Sequence, residues 1–186
     1  MRGCLLLLAI VGPAMSVPPA EAEILKREVF GQIGVGKAAD DEGSLGSGVN
    51  GGGGFGYRVM PRLGVEAELN AFRTTREFAS SLPAYRATGF HLMGNGLLYL
   101  SRGKAQVFIL AGAGIVYAHV ASGFAGSPAQ TSGSGLAANV GFGVKGRVTE
   151  HLWVRPEIRV FAGSPGGVIE PLFSDLRASI GLGYRW

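Results

Sequence analysis

Histidine and serine are the side chains of this sequence that could carry nucleophilic or acid–base catalysis. The sequence has three histidines, His91, His119 and His151, and Ser122 follows shortly after His119. A catalytic serine needs a histidine base and, in most cases, a third group that orients the base. The spacing yields no set of serine, histidine and acid, and a single histidine is more often a packed or solvated side chain than a base. We therefore predict no catalytic residues and no enzymatic activity.

Two glycine patterns match a nucleotide-binding motif letter for letter. G-x-G-x-x-G occurs at residues 46–51 and again at residues 141–146. The motif binds phosphates when it follows a strand and opens a helix, whereas both copies here lie in or beside glycine-rich segments with strand character. The sequence also has no group of histidine, cysteine and carboxylate side chains at metal-ligand spacing. We therefore expect no cofactor and no metal.

A period of two runs through the sequence and determines where the polar side chains point. It is clearest in residues 175–186, where apolar residues alternate with polar residues or glycine. This pattern is typical of a β-strand with different surroundings on its two sides. The apolar side consists of Leu176, Ala178, Ile180, Leu182, Tyr184 and Trp186. Seven further segments follow the pattern with varying clarity: residues 29–37, 49–59, 63–72, 87–100, 107–119, 138–148 and 152–162.

The lengths of these segments and of their connections predict a membrane-spanning barrel. The segments are close to the roughly 9–11 residues that a tilted strand needs to cross hydrocarbon. Open sheet edges are costly in hydrocarbon, so the sheet must close. We predict an all-β fold, a closed eight-stranded antiparallel up-and-down transmembrane β-barrel, as a monomer. Short turns at residues 60–62, 101–106 and 149–151 would be periplasmic, and longer loops at 38–48, 74–86, 120–136 and 163–174 extracellular.

Pro156 interrupts the seventh segment on its apolar side. Proline has no backbone N–H and cannot donate to a ladder of hydrogen bonds. We therefore predict a bulge or a locally lost hydrogen bond at this position.

The N-terminus has the features of a secretory signal peptide. A positive charge precedes the apolar residues 5–11, and Ala20 and Ala22 fit the small-x-small cleavage pattern. We predict that residues 1–22 are a cleaved signal peptide and that residues 23–186 are one barrel domain. The predicted location is the outer membrane of the cell.

The signal, the eight alternating segments, V-R-P-E-I-R-V at residues 154–160 and the terminal G-L-G-Y-R-W resemble small OmpA/OmpX-type outer-membrane β-barrel proteins. The resemblance implies outer-membrane lipid as surroundings. It also implies that the C-terminal aromatic residues, Tyr184 and Trp186, are an assembly signal for the barrel-assembly machinery and an interface anchor. Some barrels of this kind modify lipid A with serine and histidine near the outer rim, so a lipid A-modifying enzyme is the less favoured alternative.

Charged side chains on the polar faces are expected inside the barrel, because an eight-stranded barrel is just wide enough to be filled by side chains. We interpret them as a structural ion-pair network that plugs the lumen. The alternative is a narrow gated pore that prefers anions, since basic residues outnumber acidic ones when Arg58, Arg147 and Arg185 are included. The predicted lumen charge network consists of Glu66, Glu68, Lys145, Arg155, Glu157, Arg159 and Arg177.

The predicted loops are the remaining candidates for function. The first long loop is acidic at residues 40–42, and Arg73, Arg76 and Arg86 make the second one basic. Loops on a rigid scaffold often carry binding, so an unidentified extracellular ligand is one hypothesis. The net charge of +4 is modest and its basic residues are scattered, so we predict no nucleic-acid binding. The predicted function is a structural or envelope role, or binding through the surface loops, without catalysis.

Overall fold

A computed structural model describes residues 27–40, 43–76, 84–124, 127–164 and 173–186 of the chain. The predicted signal peptide, residues 1–22, lies outside the described residues. Eight strands make up the described part: β1 (Arg27–Asp40), β2 (Gly43–Met60), β3 (Leu63–Arg76), β4 (Ala84–Tyr99), β5 (Ala105–Phe124), β6 (Ser127–Arg147), β7 (Leu152–Gly163) and β8 (Phe173–Arg185).

The strands form a closed antiparallel barrel in the order β1 to β8. Closure is made by β1 and β8, which pair without interruption from Glu28–Arg185 to Ala39–Ser174. The pairing continues to the end of the chain, because the backbones of Arg27 and Trp186 exchange hydrogen bonds of 3.2 and 3.0 Å. The predicted fold class is confirmed. Among the described residues no helix is long and apolar enough to cross a membrane.

The two ends of the barrel differ. At one end, which we call the turn end, β2–β3, β4–β5 and β6–β7 are joined by tight connections, and both ends of the described chain meet there. The opposite end, the hairpin end, carries the connections β1–β2, β3–β4, β5–β6 and β7–β8. In outer-membrane barrels the short turns are periplasmic and the longer connections extracellular.

Several predicted loops are in fact strand. Residues 38–48 and 120–136 were expected to be loops, but β1, β2, β5 and β6 extend through most of them, and β5 and β6 reach 20 and 21 residues. The expectation was wrong because an antiparallel pair satisfies its backbone groups wherever the partner strand continues. Beyond the membrane both faces meet water, so the apolar alternation that marks a strand in sequence fades.

The alternation of side chains follows the predicted phase. On β7, for example, inward and outward positions alternate along the whole strand. The fourth predicted segment was ambiguous because both of its faces are apolar; the barrel places Met93 and Leu97 inside and Leu92 and Leu98 outside. The lumen therefore contains apolar side chains as well as charges. Two buried apolar clusters line it, one with Phe72, Met93, Val116 and Phe161, the other with Leu97, Tyr99, Phe108 and Leu110.

Pro156 leaves a gap in one ladder. β7 pairs with β8 continuously, including Pro156 with Ile180. The ladder between β6 and β7 passes from Gly143–Glu157 directly to Gly146–Val154, with the same register on both sides of the gap. The prediction of a locally lost hydrogen bond is confirmed, and no bulge forms there.

Glycine gives the barrel interior the room that its large side chains need. A Cβ atom at Gly183 would collide with the indole ring of Trp153, which is buried in the lumen beside it. The two G-x-G-x-x-G matches lie within β2 and β6, where no helix follows them. Both glycine patterns are therefore part of barrel strands. They lack the strand-to-helix turn that a nucleotide site requires.

Candidate functional site

The centre of the lumen is filled by ion pairs that join opposite walls of the barrel. Arg155 on β7 donates from Nη1 to both carboxylate oxygens of Glu66 on β3, at 2.7 and 2.9 Å. Arg159, also on β7, donates from Nη1 to Oε2 of Glu68 on β3 at 2.6 Å. In the closed order of strands, β3 and β7 face each other across the barrel. These contacts therefore span the full diameter of the lumen.

Glu157 connects the two arginines into one continuous network. Residues two apart on a strand point to the same side, so the sequence Arg-x-Glu-x-Arg places one carboxylate between two guanidinium groups. Arg155 donates from Nε to Glu157 Oε2 at 2.7 Å, and Arg159 Nε lies 2.6 Å from Glu157 Oε1. All of these side chains are buried. Charges therefore alternate in sign from Glu66 to Glu68 through the centre of the barrel.

Lys145 extends this network toward the turn end. Its Nζ lies 2.5 Å from Oε1 of Glu28 and 3.5 Å from Oε1 of Glu66, and it donates to the hydroxyl of Tyr99 at 3.0 Å. The ammonium also lies 4.5 Å from the ring of Trp153. One cation from β6 thus bridges carboxylates of β1 and β3, which closes this level of the lumen.

A second polar cluster lies toward the hairpin end, around Arg177. Its Nε donates to Oδ2 of Asp175 at 2.5 Å, and its Nη1 donates to Oδ1 of Asn70 at 2.8 Å. Its Nη2 lies 3.1 Å from Nδ1 of His91. Because a guanidinium can only donate, Nδ1 accepts this hydrogen bond and the proton of the neutral imidazole lies on Nε2.

Aromatic rings enclose His91. It stacks on Phe72 with ring centroids 5.0 Å apart and on Phe161 at 4.9 Å. The guanidinium of Arg177 lies over the Phe161 ring at 4.3 Å. This buried arrangement suits packing, because the imidazole has its Nδ1 engaged and both ring faces covered.

Uncharged polar side chains link the charged network to the other walls. Gln32 on β1 donates to Oε1 of Glu68 at 2.6 Å, and Asn95 on β4 donates to Oε2 of the same carboxylate at 3.4 Å. Asn139 on β6 donates to Oδ1 of Asn95 at 2.8 Å. Polar groups buried in a low-dielectric interior need such partners. Glu68 is therefore held from three sides.

All seven residues of the predicted charge network lie in the lumen and are buried. Six of them form the continuous network described above, whereas Arg177 belongs to the separate cluster near the hairpin end. The basic residues Arg58, Arg147 and Arg185 are exposed or half-buried and lie toward the turn end instead. The lumen also contains residues that were not part of the predicted charge network, among them Glu28, Asn70, His91, Tyr99 and Asp175.

The two-residue alternation along each strand could have identified several of these residues as facing the lumen. Asn70 continues the inward series of Glu66 and Glu68, and Asp175 precedes Arg177 by two positions. His91 could not be assigned this way because the phase of its strand was ambiguous in the sequence.

The two other histidines lie on the outer side of the barrel or at its end. His119 Nδ1 lies 3.1 Å from Oγ of Ser132, its pairing partner on β6. The side chain of Ser122, its predicted neighbour, lies outside the described part. No carboxylate of the described residues contacts His119 to orient it. His151 donates from Nδ1 to the carbonyl oxygen of Arg185 at 2.9 Å and is thereby a structural contact of the turn end.

Among the residues that the structure describes, no group of histidine, cysteine or acidic side chains could hold a metal ion. The chemistry available in the lumen is therefore ion pairing and hydrogen bonding within the protein itself.

Comparison with known proteins places the barrel in a family. Residues 4–185 match the family described as "Outer membrane protein beta-barrel domain". No curated protein matches the sequence. Among solved structures, Neisserial surface protein A is 17% identical, covers 86% of this chain and 97% of its own, and has a TM-score of 0.59. Ail, the attachment invasion locus protein of Yersinia pestis, is 17% identical, covers 87% and 99%, and has a TM-score of 0.52.

At these identities the solved structures show the fold alone, and the family match covers nearly the whole chain. The chain belongs to the outer membrane protein beta-barrel domain family, and this membership places it in the outer membrane.

Proposed function

We propose that this protein is a non-conducting outer-membrane barrel that anchors its extracellular hairpins rigidly in the membrane, in a structural or surface-binding role and without catalysis. The observation that carries the proposal is the pair of ion pairs across the lumen, from Arg155 to Glu66 and from Arg159 to Glu68. A side chain that bridges opposite walls occupies the path that an ion would take. Apolar side chains fill much of the remaining interior.

Charge balance argues against the alternative of an anion-preferring pore. The basic residues that suggested this preference, Arg58, Arg147 and Arg185, lie toward the turn end and are not buried. The buried charges of the described lumen consist of the acids Glu66, Glu68, Glu157 and Asp175 and the bases Lys145, Arg155, Arg159 and Arg177. These are equal in number, so the interior has no excess of positive charge to select anions.

The arrangement of His119 argues against the enzymatic alternative. In serine hydrolases the base accepts the serine proton on one ring nitrogen while an acid orients the other. Here Nδ1 faces Ser132, and within the described chain no acid faces the ring. The pair therefore lacks the orienting group of a catalytic triad.

The β5–β6 hairpin supports a surface role for the extracellular end. From the pair His119–Ser132 the two strands continue for five further pairs, to Phe124–Ser127. At about 3.3 Å per residue this adds roughly 16 Å of paired backbone beyond the level of His119. A hairpin held by a rigid barrel can present its tip to a partner at little entropic cost.

Export and assembly complete the proposal. The predicted signal peptide, residues 1–22, would direct the chain out of the cytoplasm and be cleaved near Ala22. The barrel-assembly machinery would then recognise the last strand through Tyr184 and Trp186, and the barrel would function as a monomer surrounded by outer-membrane lipid.

Conductance in planar lipid bilayers tests the closed lumen. The purified protein is expected to be silent across salts and voltages. The variant E66A/R155A/R159A, which removes the side chains that cross the lumen, is expected to conduct. The matched control V65A/V154A/I158A truncates outward-facing residues of the same strands and is expected to remain silent. Reproducible single-channel steps from the unchanged protein would overturn the proposal.

Lipid A mass spectra test the absence of catalysis. Spectra from cells with and without the protein are expected to be identical. A change in acylation that depends on His119 would establish the enzymatic alternative instead.

A further inference from the structure

The outer surface of β3, β4 and β5 changes character in successive rows toward the hairpin end. Strand pairing defines each row. The first, Leu69–Leu92–Ile115, is aliphatic, and the next, Ala71–Phe90–Tyr117, contains two stacked aromatic rings with centroids 5.5 Å apart. The third row is Arg73–Thr88–His119, and the fourth is Thr75–Arg86–Ala121. Aliphatic, aromatic and basic surfaces thus follow one another within a few residues.

Three basic side chains lie close together in the last two rows. Arg73 faces Thr88 directly, and Arg86 faces Thr75, so Arg73 and Arg86 are diagonal neighbours across β3 and β4. Arg86 and His119 are likewise diagonal neighbours, across β4 and β5. Diagonal neighbours have Cα atoms about 7–8 Å apart, within reach of long side chains. We call these three residues the basic patch; the sequence analysis had placed Arg73 and Arg86 in a loop.

The arginines of the basic patch are accessible, and no acidic side chain of the described residues pairs with them. Both arginines are exposed on the outer surface. No ion pair among the described residues includes either of them, and the third and fourth rows contain no acidic residue. Outward positions at the equivalent end of β7 and β8 are Ala162 and Ser174. Lys37 on β1 is a further exposed cation at this end, but its pairing partners are the uncharged Ser47 and Leu176. The basic patch differs from it because three basic side chains are neighbours there.

Along the barrel axis, the basic patch lies at the height expected for the membrane surface. Arg73 follows the first residue of β3, Leu63, by ten positions. At about 3.3 Å per residue and a strand tilt of about 40°, this distance is roughly 25 Å along the barrel axis. The apolar band of an outer-membrane barrel is about 25 Å tall. With Leu63 at one border of the hydrocarbon, Arg73 lies at the other, where lipid headgroups begin.

We propose that Arg73, Arg86 and His119 bind the phosphate group of a lipid in the outer leaflet, whose acyl chains pack on Phe90 and Tyr117. A guanidinium offers forked N–H donors that match phosphate oxygens, and two guanidinium groups at this spacing can contact one phosphate together. Thr88 lies in the third row, between Arg73 and His119. The aromatic pair directly below provides the apolar surface that a lipid needs and a free phosphate does not.

Lipid binding is measured by native mass spectrometry of the protein in uncharged detergent micelles titrated with phosphatidic acid. The variant R73Q/R86Q is expected to bind phosphatidic acid at least about tenfold more weakly. It loses charged hydrogen bonds to the phosphate, and one such hydrogen bond changes the affinity by about tenfold. The control R102Q/K104Q removes the same charge from the exposed β4–β5 turn at the other end of the barrel and is expected to bind like the unchanged protein. Phosphatidylcholine is expected to bind weakly to all three.

Three outcomes overturn the proposal: unchanged binding by R73Q/R86Q, equal weakening in both variants, which would indicate net charge alone, and displacement of the lipid by an equal concentration of inorganic phosphate. Circular dichroism of both variants verifies that the barrel is folded. The proposal concerns the outer surface and does not depend on a closed lumen, so conductance and lipid binding can fail independently.

Discussion

Nη1 of Arg155 on β7 lies 2.7 Å from Oε1 of Glu66 on β3, and one ion pair thereby connects opposite walls of the barrel. The two residues are 89 positions apart in sequence. Both are buried, and Arg155 also binds Glu157. The pair therefore connects β3 and β7 through the lumen, and its removal is expected to lower the stability of the barrel.

Replacement of Arg155 by methionine is expected to destabilise the barrel by about 3–5 kcal/mol, because it leaves the buried Glu66 without its bidentate partner and Glu157 without one of its two guanidinium partners. The free energy of unfolding is measured by urea titration in lipid vesicles. The double variant E66Q/R155M removes both charges and is expected to lose less than the sum of E66Q and R155M. Additive losses would show that the two side chains do not interact.

The cost in stability of a charge on the lipid-facing side of β8 is expected to depend on its depth in the membrane, and to be largest at the middle of the bilayer. Ile180 lies at the middle of β8 and is 54% exposed on the outer face, and I180R is expected to cost about 2–4 kcal/mol. Leu176 is equally exposed but pairs with Lys37 near the hairpin end, so L176R is expected to cost about 0–1 kcal/mol. The same urea titration measures both. Equal costs would contradict the membrane position of the barrel.

Substitution of Pro156 by valine is expected to restore the missing N–H to the β6–β7 ladder. Amide hydrogen exchange should then show protection at residue 156 and slower exchange of its neighbours on β6. The expected stability change is small, below about 1 kcal/mol, because one hydrogen bond is gained while the unfolded chain becomes more flexible. Rapid exchange at residue 156 in P156V would show that proline is not the cause of the gap.

Removal of the terminal aromatic rings is expected to impair assembly in cells more than folding in micelles. The ring of Tyr184 stacks with those of Trp186 and His151, at centroid distances of 6.1 and 5.4 Å. The variant Y184A/W186A should refold in detergent but accumulate less in the outer membrane, as quantified by membrane fractionation. F142A removes an exposed aromatic ring from the outer face of β6 and is the control. Similar accumulation of both variants would argue against a special role of the terminal residues.

The barrel could be predicted from the sequence because the features that indicate it, alternating side chains and segment length, are visible within each strand. A strand between lipid and a filled lumen must alternate, and Glu66, Glu68, Arg155, Glu157 and Arg159 all keep the phase of their strands. Hydrocarbon does not tolerate an open sheet edge, so alternating segments of this length imply closure. The extent of the hairpins was wrong in the sequence analysis, because backbone pairing continues where the alternation ends.

The sequence by itself determined which residues point inward, since the phase of each clear strand settles that question. Only the tertiary structure decided which of them meet. Partners across the lumen depend on the number of strands and on the relative stagger of the strands around the barrel, and no local pattern relates Arg155 to Glu66 or Arg177 to His91. The same stagger brings Arg73, Arg86 and His119 together on the outer surface, because neighbouring strands bring residues far apart in sequence to the same height.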